Sequence, residues 1–152
     1  MPSNIIQWFP GHMAKTRRLM SESMGLVDLV IEIRDARIPI SSKNPEIERL
    51  CAGKPRIILL SKADLASPDI NASWKKHFES EGTTAVVCDF VSGKGVSEIP
   101  VAIRTVMAEK IARYEAKGMV GKQIRAMIVG IPNVGKSSFI NKLAGSKKAK
   151  VE

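Results

Sequence analysis

The chain has 152 residues, of which 44% are hydrophobic, enough apolar material for one ordinary domain core. Its formal net charge of +9 favours polyanionic partners such as RNA, although basic domains without such partners also exist. The start lacks a signal-peptide pattern, no apolar run reaches membrane-spanning length, and Cys51 and Cys88 lack metal-ligand spacing. These features argue against a secreted or membrane-spanning protein and predict a cytoplasmic location with reduced thiols.

The first half of the chain alternates predicted helices and strands. Its elements are a basic amphipathic helix at 12–25, a β-rich strand at 27–33, a helix from Asn44-Pro45 to Gly53, a strand at 56–60 and a helix from Ser67-Pro68. The uninterrupted apolar run at 56–60 is typical of a strand buried on both faces. In the helix that follows, Ile70, Trp74 and Phe78 are spaced four residues apart.

The second half continues the alternation. Its elements are a strand at 85–88, one long helix from Ser97 to Tyr114 with Pro100 in its first turn, a polar connector at 115–123, a strand at 124–129, and a last helix opened by residues 130–137 and ending near Gly145. Strands rich in Val, Ile and Leu that alternate with helices predict an α/β fold, with a mainly parallel sheet covered by helices on both faces.

Residues 130–137 read Gly-Ile-Pro-Asn-Val-Gly-Lys-Ser and match the P-loop pattern G-x-x-x-x-G-K-[ST] between a strand and a helix. Glycines let backbone N–H groups close around phosphates, and the helix adds the positive end of its dipole. Lys136 is expected to reach the β- and γ-phosphates, and the Ser137 hydroxyl to ligate Mg²⁺. The predicted phosphate-binding residues are Asn133, Val134, Gly135, Lys136, Ser137 and Ser138.

The tetrapeptide Ser61-Lys62-Ala63-Asp64 follows the buried strand at 56–60. It resembles the guanine-specifying N-K-x-D motif of GTPases, in which the Asp carboxylate accepts two hydrogen bonds from guanine and the Lys stem lies over the ring. Adenine offers no such donor pair, so a carboxylate facing it would be left unpaired. The motif thus predicts GTP rather than ATP; Ser61 departs from the usual Asn, which affects only the polar contact of that side chain.

A second base-reading segment is predicted at residues 89–95. Asp-Phe-Val-Ser-Gly-Lys-Gly resembles the S-A-x-x-G-x-G segment of GTPases, in which a backbone N–H contacts guanine O6. This alignment places Asp89 and Phe90 at the base. By sequence alone, an ordinary strand-to-helix turn explains these residues equally well.

The order of these motifs is reversed relative to ordinary GTPases, because residues 61–64 and 89–95 precede the P-loop. This order predicts a circularly permuted, Ras-like P-loop domain in which the connector at 115–123 joins the ancestral termini. Together with Trp-Phe-Pro-Gly-His-Met at 8–13 and Asp-Ala-Arg-Ile-Pro at 35–39, the pattern resembles the bacterial ribosome-biogenesis GTPase A family over essentially the whole chain.

The resemblance implies a GTPase that acts in late assembly of the large (50S) ribosomal subunit, with the subunit precursor and its rRNA as partners. It also implies activation by K⁺, with Asn133 as the K⁺ ligand, and His12 in place of the glutamine that orients water in Ras-like enzymes. Turn formation by Asn133 and a loop position for His12 are the plain structural alternatives.

The resemblance further predicts domain organisation: an N-terminal basic segment at 1–26, a guanine-reading half at 27–114, the connector, and a P-loop unit at 124–152. No switch threonine or D-x-x-G segment follows the P-loop in this sequence, so the GTPase domain is expected to be incomplete. Two other functions stay open from the residues alone: a non-catalytic rRNA-binding module, and a P-loop ATPase or kinase.

Overall fold

A computed structural model describes residues 13–40, 48–49, 53–130 and 139. The described elements are α1 (Met13–Met24), β1 (Leu29–Asp35), β2 (Arg56–Ser61), a 3-10 turn (Ala63–Leu65), α2 (Pro68–Ser80), β3 (Thr84–Val87), α3 (Glu98–Val106), α4 (Ala108–Ala116) and β4 (Ala126–Val129). The predicted helix at 44–53 and the helix after the P-loop lie outside the described residues, apart from a few positions. None of the described helices is long and apolar enough to cross a membrane.

The four strands form one parallel sheet in the order β3-β2-β1-β4. The chain passes from β1 to β2 to β3 in one direction and then crosses back, so that β4 pairs with the other side of β1. All four strands therefore end at one edge, called the carboxyl edge here, and begin at the opposite, amino edge. The predicted parallel sheet is confirmed.

Side chains that alternate along the strands form a core on each face of the sheet. One face packs against α3 and α4 and includes Leu29, Ile31, Ile33, Ile57, Leu59, Val86, Ile99, Met107 and Phe139. The other packs against α2 and includes Ala36, Ile58, Leu60, Phe78 and Ala85. Helices thus cover both faces, and the run at 57–60 is buried on both, as its uninterrupted apolar character predicts.

The α2 face of β1 also buries two charged side chains. Glu32 is 1% exposed and Arg34 is 2% exposed. Arg34 Nε donates to Glu32 Oε2 at 2.9 Å, and Arg56 Nη1 donates to Glu32 Oε1 at 3.2 Å. The Arg34 guanidinium also lies 5.1 Å from the centre of the Phe78 ring. Because each charge has a partner, the strand tolerates burial that isolated charges would prevent.

The prediction of a single long helix from Ser97 is wrong, because the structure has two helices, α3 and α4, which are separated at Met107. Met107 has φ −96° and ψ 6°, outside helical geometry. Its N–H still donates to the Ile103 carbonyl at 2.9 Å. Two residues earlier, the Thr105 hydroxyl donates to the Val101 carbonyl at 2.9 Å, and back-bonding of this kind bends helices. The bend keeps Met107 fully buried against the sheet.

Candidate functional site

The Ser61 loop, residues 61–64, leaves the carboxyl edge directly from β2. Ser61 is fully buried, and its hydroxyl donates to the Arg34 carbonyl of β1 at 3.0 Å. The Ala63 N–H donates to the Cys88 carbonyl at the end of β3 at 3.2 Å. Two neighbouring strands therefore hold the loop, and the Ser61 side chain anchors backbone at this position.

Lys62 has φ 59° and ψ 36°, which makes it the one non-glycine residue with positive φ within the part of the chain described. This left-handed conformation is disfavoured for residues with a Cβ and tends to persist where surrounding contacts enforce it. It turns the chain into the 3-10 turn that carries Asp64. Asp64 is exposed, so its carboxylate is available to a ligand at the carboxyl edge.

Asp35 ends β1 beside Ser61, its partner in the sheet register. Its carboxylate accepts hydrogen bonds from the Arg37 backbone N–H, Nε and Nη2 at 2.9, 3.0 and 2.7 Å, and its Oδ2 lies 3.6 Å from Lys62 Nζ. The hydrogen bonds from Arg37 lower the pKa of Asp35, and the same pairing raises the pKa of Arg37. Asp35 thus connects β1 to the Ser61 loop by charge.

The sequence motif at 35–39 contributes to the family resemblance, but this pairing with Lys62 was not predicted from it. A carboxylate at the end of an apolar strand, directly before a predicted loop, is the signal that could have identified it.

The turn after β3, residues 88–97, faces the Ser61 loop. Asp89 is buried, its N–H donates to the Lys94 carbonyl at 2.9 Å, and its Oδ1 accepts the Val91 N–H at 3.0 Å. Since the Asp89 N–H is already used, a base contact from this turn falls to a later N–H such as that of Phe90. The Phe90 ring itself belongs to the core, 5.2 Å from the Phe139 ring.

An open cavity of about 560 Å³ lies between the Ser61 loop, α2 and the turn after β3. Its lining includes Ala63 and Asp64 from the loop, Asn71 and Lys75 from α2, and Asp89, Ser92 and Lys94 from the turn. The two predicted base-reading segments, residues 61–64 and 89–95, therefore border one concave surface, as ligand sites at the carboxyl edge of open α/β sheets do.

The P-loop sequence begins at Gly130, directly after β4, and β4 pairs with β1. Its first residue thus lies at the same carboxyl edge as Asp35 and Ser61. The other predicted phosphate, metal and catalytic residues lie outside the described part of the chain: His12, Asn133, Val134, Gly135, Lys136, Ser137 and Ser138. Within the described part, no group of three or more His, Cys, Asp or Glu side chains could hold a metal ion.

The parallel sheet, the helices on both faces and the strand leading into the P-loop define an α/β P-loop GTPase domain. A family model for a 50S ribosome-binding GTPase matches residues 125–152. Two solved structures of YlqF, one GDP-bound and one GNP-bound from T. maritima, are each 28% identical, with TM-scores of 0.62 and 0.63. The matches cover 86% and 87% of this chain and 49% and 48% of those chains.

Ribosome biogenesis GTPase A of Bacillus pumilus (strain SAFR-032) is 49% identical over 145 residues, which cover 95% of this chain and 51% of the relative. The predicted resemblance to the ribosome biogenesis GTPase A family is therefore confirmed over almost the whole chain. The chain spans about half the length of the curated relatives it matches.

Proposed function

We propose that this chain supplies the base-reading and phosphate-binding parts of a GTPase that acts in assembly of the large ribosomal subunit. The observation that carries the proposal is the position of the Ser61 loop. The loop stands at the carboxyl edge, with Asp64 exposed, on the same edge as Gly130 at the start of the P-loop sequence. A nucleotide can then place its base at one end of this edge and its phosphates at the other.

The base is guanine in this proposal. Asp64 accepts hydrogen bonds from N1–H and the 2-amino group, while the aliphatic stem of Lys62 covers the ring. A backbone N–H of the turn after β3, that of Phe90, donates to guanine O6. An adenine in the same position would offer no donor pair to Asp64, and the unmet carboxylate would disfavour its binding.

The reaction is attack of water on the γ-phosphate of GTP, which releases GDP and inorganic phosphate. Lys136 and the backbone N–H groups of the P-loop stabilise the charge that develops on the phosphates. Ser137 would hold Mg²⁺ and Asn133 would hold K⁺, and the cations would offset phosphate charge. His12 is proposed to orient the attacking water.

Calorimetry with GTP and ATP tests the base assignment. GTP binding is expected and ATP binding is not. Asp64→Asn removes the acceptor pair, so its GTP affinity should fall about 30-fold or more. The same variant should prefer xanthosine triphosphate, because xanthine presents an acceptor where guanine presents its 2-amino donor.

Asp69→Asn is the matched control for this experiment. Asp69 is an exposed acidic residue in the first turn of α2, five positions beyond Asp64. Its replacement should leave the affinities unchanged. Equal binding of ATP and GTP by the unmodified chain would contradict the guanine assignment.

The ribosomal partner is proposed to be the large-subunit precursor and its rRNA. The net charge of +9 and the exposed Arg18 of α1 support binding to a polyanion. Binding to purified large-subunit particles should weaken steeply with salt and should depend on the bound nucleotide. Binding that is identical with and without nucleotide, and unchanged in Lys136→Ala, would instead favour the non-catalytic rRNA-binding module.

A further inference from the structure

Asn71 lies in the first turns of α2 and contacts the Ser61 loop from below. Asn71 is 5% exposed, and its Nδ2 donates to the Ala63 carbonyl at 3.1 Å. Its Oδ1 is buried and has no hydrogen-bond partner among the described residues. Most buried polar atoms in proteins have a partner, so an exception requires an explanation.

The orientation of the Asn71 amide follows from its neighbour. Rotating the amide by half a turn would place Oδ1 against the Ala63 carbonyl oxygen, and two acceptors would face each other. The amide therefore donates to Ala63 and leaves its own oxygen unpaired. A leucine of similar branched shape would lose the hydrogen bond to Ala63 but would also remove the unpaired buried oxygen, so the two effects on stability oppose each other.

The group that Asn71 holds is the carbonyl of Ala63, which belongs to the peptide group joining Ala63 to Asp64. Ala63 is fixed on both sides, because its N–H donates to the Cys88 carbonyl and its carbonyl accepts from Asn71. The neighbouring residue, Lys62, has a left-handed backbone conformation, which is unfavourable unless surrounding contacts stabilise it. Without the Asn71 hydrogen bond, the loop would keep its hydrogen bonds to Arg34 of β1 and to Cys88 after β3, but it would lose the one from α2.

We propose that Asn71 is a positioning residue for guanine recognition, in which its amide fixes the Ala63 peptide so that Lys62 and Asp64 are held in their base-reading geometry. This inference rests on the proposed guanine site at the Ser61 loop. Asn71 lies in the lining of the cavity but acts through its hydrogen bond to Ala63, so it is expected to affect the choice of base rather than the binding of phosphates.

The test compares GDP with IDP by calorimetry, because inosine lacks the 2-amino group that Asp64 recognises. In the unmodified chain, the ratio of the IDP to the GDP dissociation constant measures that contact. Asn71→Leu should reduce the ratio by about fivefold or more, as expected for groups coupled through a shared hydrogen bond. Its midpoint of thermal unfolding should change little, because loss of the hydrogen bond to Ala63 is offset by removal of the unpaired buried oxygen.

Amide hydrogen exchange provides a readout independent of the nucleotide. The Ala63 N–H should exchange faster in Asn71→Leu than in the unmodified chain, while the N–H groups of β1 keep their protection. Ser73→Ala is the matched control on the same helix: the Ser73 hydroxyl donates to the Asp69 carbonyl at 3.0 Å, away from the loop. This control should change neither the ratio nor Ala63 exchange.

The outcomes separate the two proposals. An unmodified chain that binds GDP and IDP equally overturns the guanine site and the Asn71 role together. A normal ratio in the unmodified chain that persists in Asn71→Leu overturns the Asn71 role alone. Asn71→Ala, which suits a helix and adds no volume, gives the same readings if the leucine variant does not fold.

Discussion

Two buried aspartates, one at each edge of the sheet, connect distant parts of the chain in different ways. Asp28 precedes β1 at the amino edge. Its carboxylate accepts hydrogen bonds from Tyr114 Oη at 2.8 Å and from the Arg125 N–H at 3.0 Å, and it lies 2.8 Å from Lys110 Nζ. Asp35 ends the same strand at the carboxyl edge, where its partners are Arg37 and Lys62.

The difference lies in what each carboxylate holds. Asp28 joins β1 to α4 and to Arg125, the residue before β4, so it holds together the two ends of the segment predicted to be the connector. Asp35 contacts a loop predicted to touch the nucleotide through its ion pair with Lys62, and it also pairs with Arg37, whose side chain is 46% exposed. Asp28 should therefore contribute mainly to stability, and Asp35 mainly to ligand binding.

Glycines at the two edges provide the largest expected contrast. Gly95 lies in the turn after β3 with φ +79°, and a Cβ there would stand 2.2 Å from the Val87 carbonyl oxygen. Gly82 lies at the amino edge with φ +82°, and a Cβ there would meet nothing within 4 Å.

Gly95→Ala should lower the free energy of unfolding by about 3 kcal/mol or more, because backbone must move. Gly82→Ala is the control and should cost only about 1 kcal/mol, the strain of the left-handed backbone. Urea unfolding measures both. Equal losses would show that the turn after β3 adjusts without resistance.

Asp28→Asn should give the next largest effect, a loss of about 2 kcal/mol in the free energy of unfolding. The amide cannot accept from Tyr114, Lys110 and the Arg125 N–H together. Tyr114→Phe, which removes only one of the three donors, should lose about 1 kcal/mol. The preference for GDP over IDP should be unchanged in both variants. A changed preference would show that Asp28 also affects ligand binding.

The sequence predicted the helix and strand order well because these elements follow local periodicity and local start signals. The motifs at 61–64 and 130–137 could also be found, since each is a short run with a defined chemical purpose. Contacts between distant residues could not. In the sequence pattern, Asp28 is an ordinary residue of the predicted strand at 27–33. The pattern gives no sign of its hydrogen-bond partners, which are 86 and 97 positions away.

The contacts and burial of individual residues within a helix could not be predicted for the same reason. Asn71 lies inside a helix pattern that gives no sign of its contact with Ala63. Ile70 has the same spacing as Trp74 and Phe78 but is 55% exposed. Steps of four residues advance by 400°, so three such positions spread over about 80° of the helix surface, and the first of them turns away from the sheet.

Acid should weaken the amino edge through Asp28. Hydrogen bonds from the Arg125 N–H, Lys110 and Tyr114, which outweigh the opposing effect of burial, lower the pKa of Asp28 from 3.8 to about 2. The folded-state pKa lies below the unfolded one, so the stabilisation is present above about pH 4 and is lost as the pH falls towards 2.

The stabilisation from Asp28 is at most about 2 kcal/mol. Urea unfolding of the unmodified chain and Asp28→Asn between pH 7 and 2 should show the gap between them closing over this range. A constant gap would show that the variant acts through shape rather than through charge.

Asp35→Asn should give the smallest change in stability and yet alter ligand binding. Asn can still accept the Arg37 backbone N–H, and the charged partners Arg37 and Lys62 are partly exposed, where ion pairs contribute little, so the expected loss is about 1 kcal/mol or less. Lys62, however, loses the charge 3.6 Å from its ammonium group, which favours one position of its side chain at the proposed base site. GDP affinity measured by calorimetry should therefore fall by more than the small stability loss explains. The control is Arg37→Ala, which leaves the Asp35–Lys62 pair in place and should keep normal GDP affinity. A loss of several kcal/mol in the free energy of unfolding of Asp35→Asn, together with normal GDP binding, would contradict this prediction. It would show that Asp35 stabilises the fold at the carboxyl edge as Asp28 does at the amino edge.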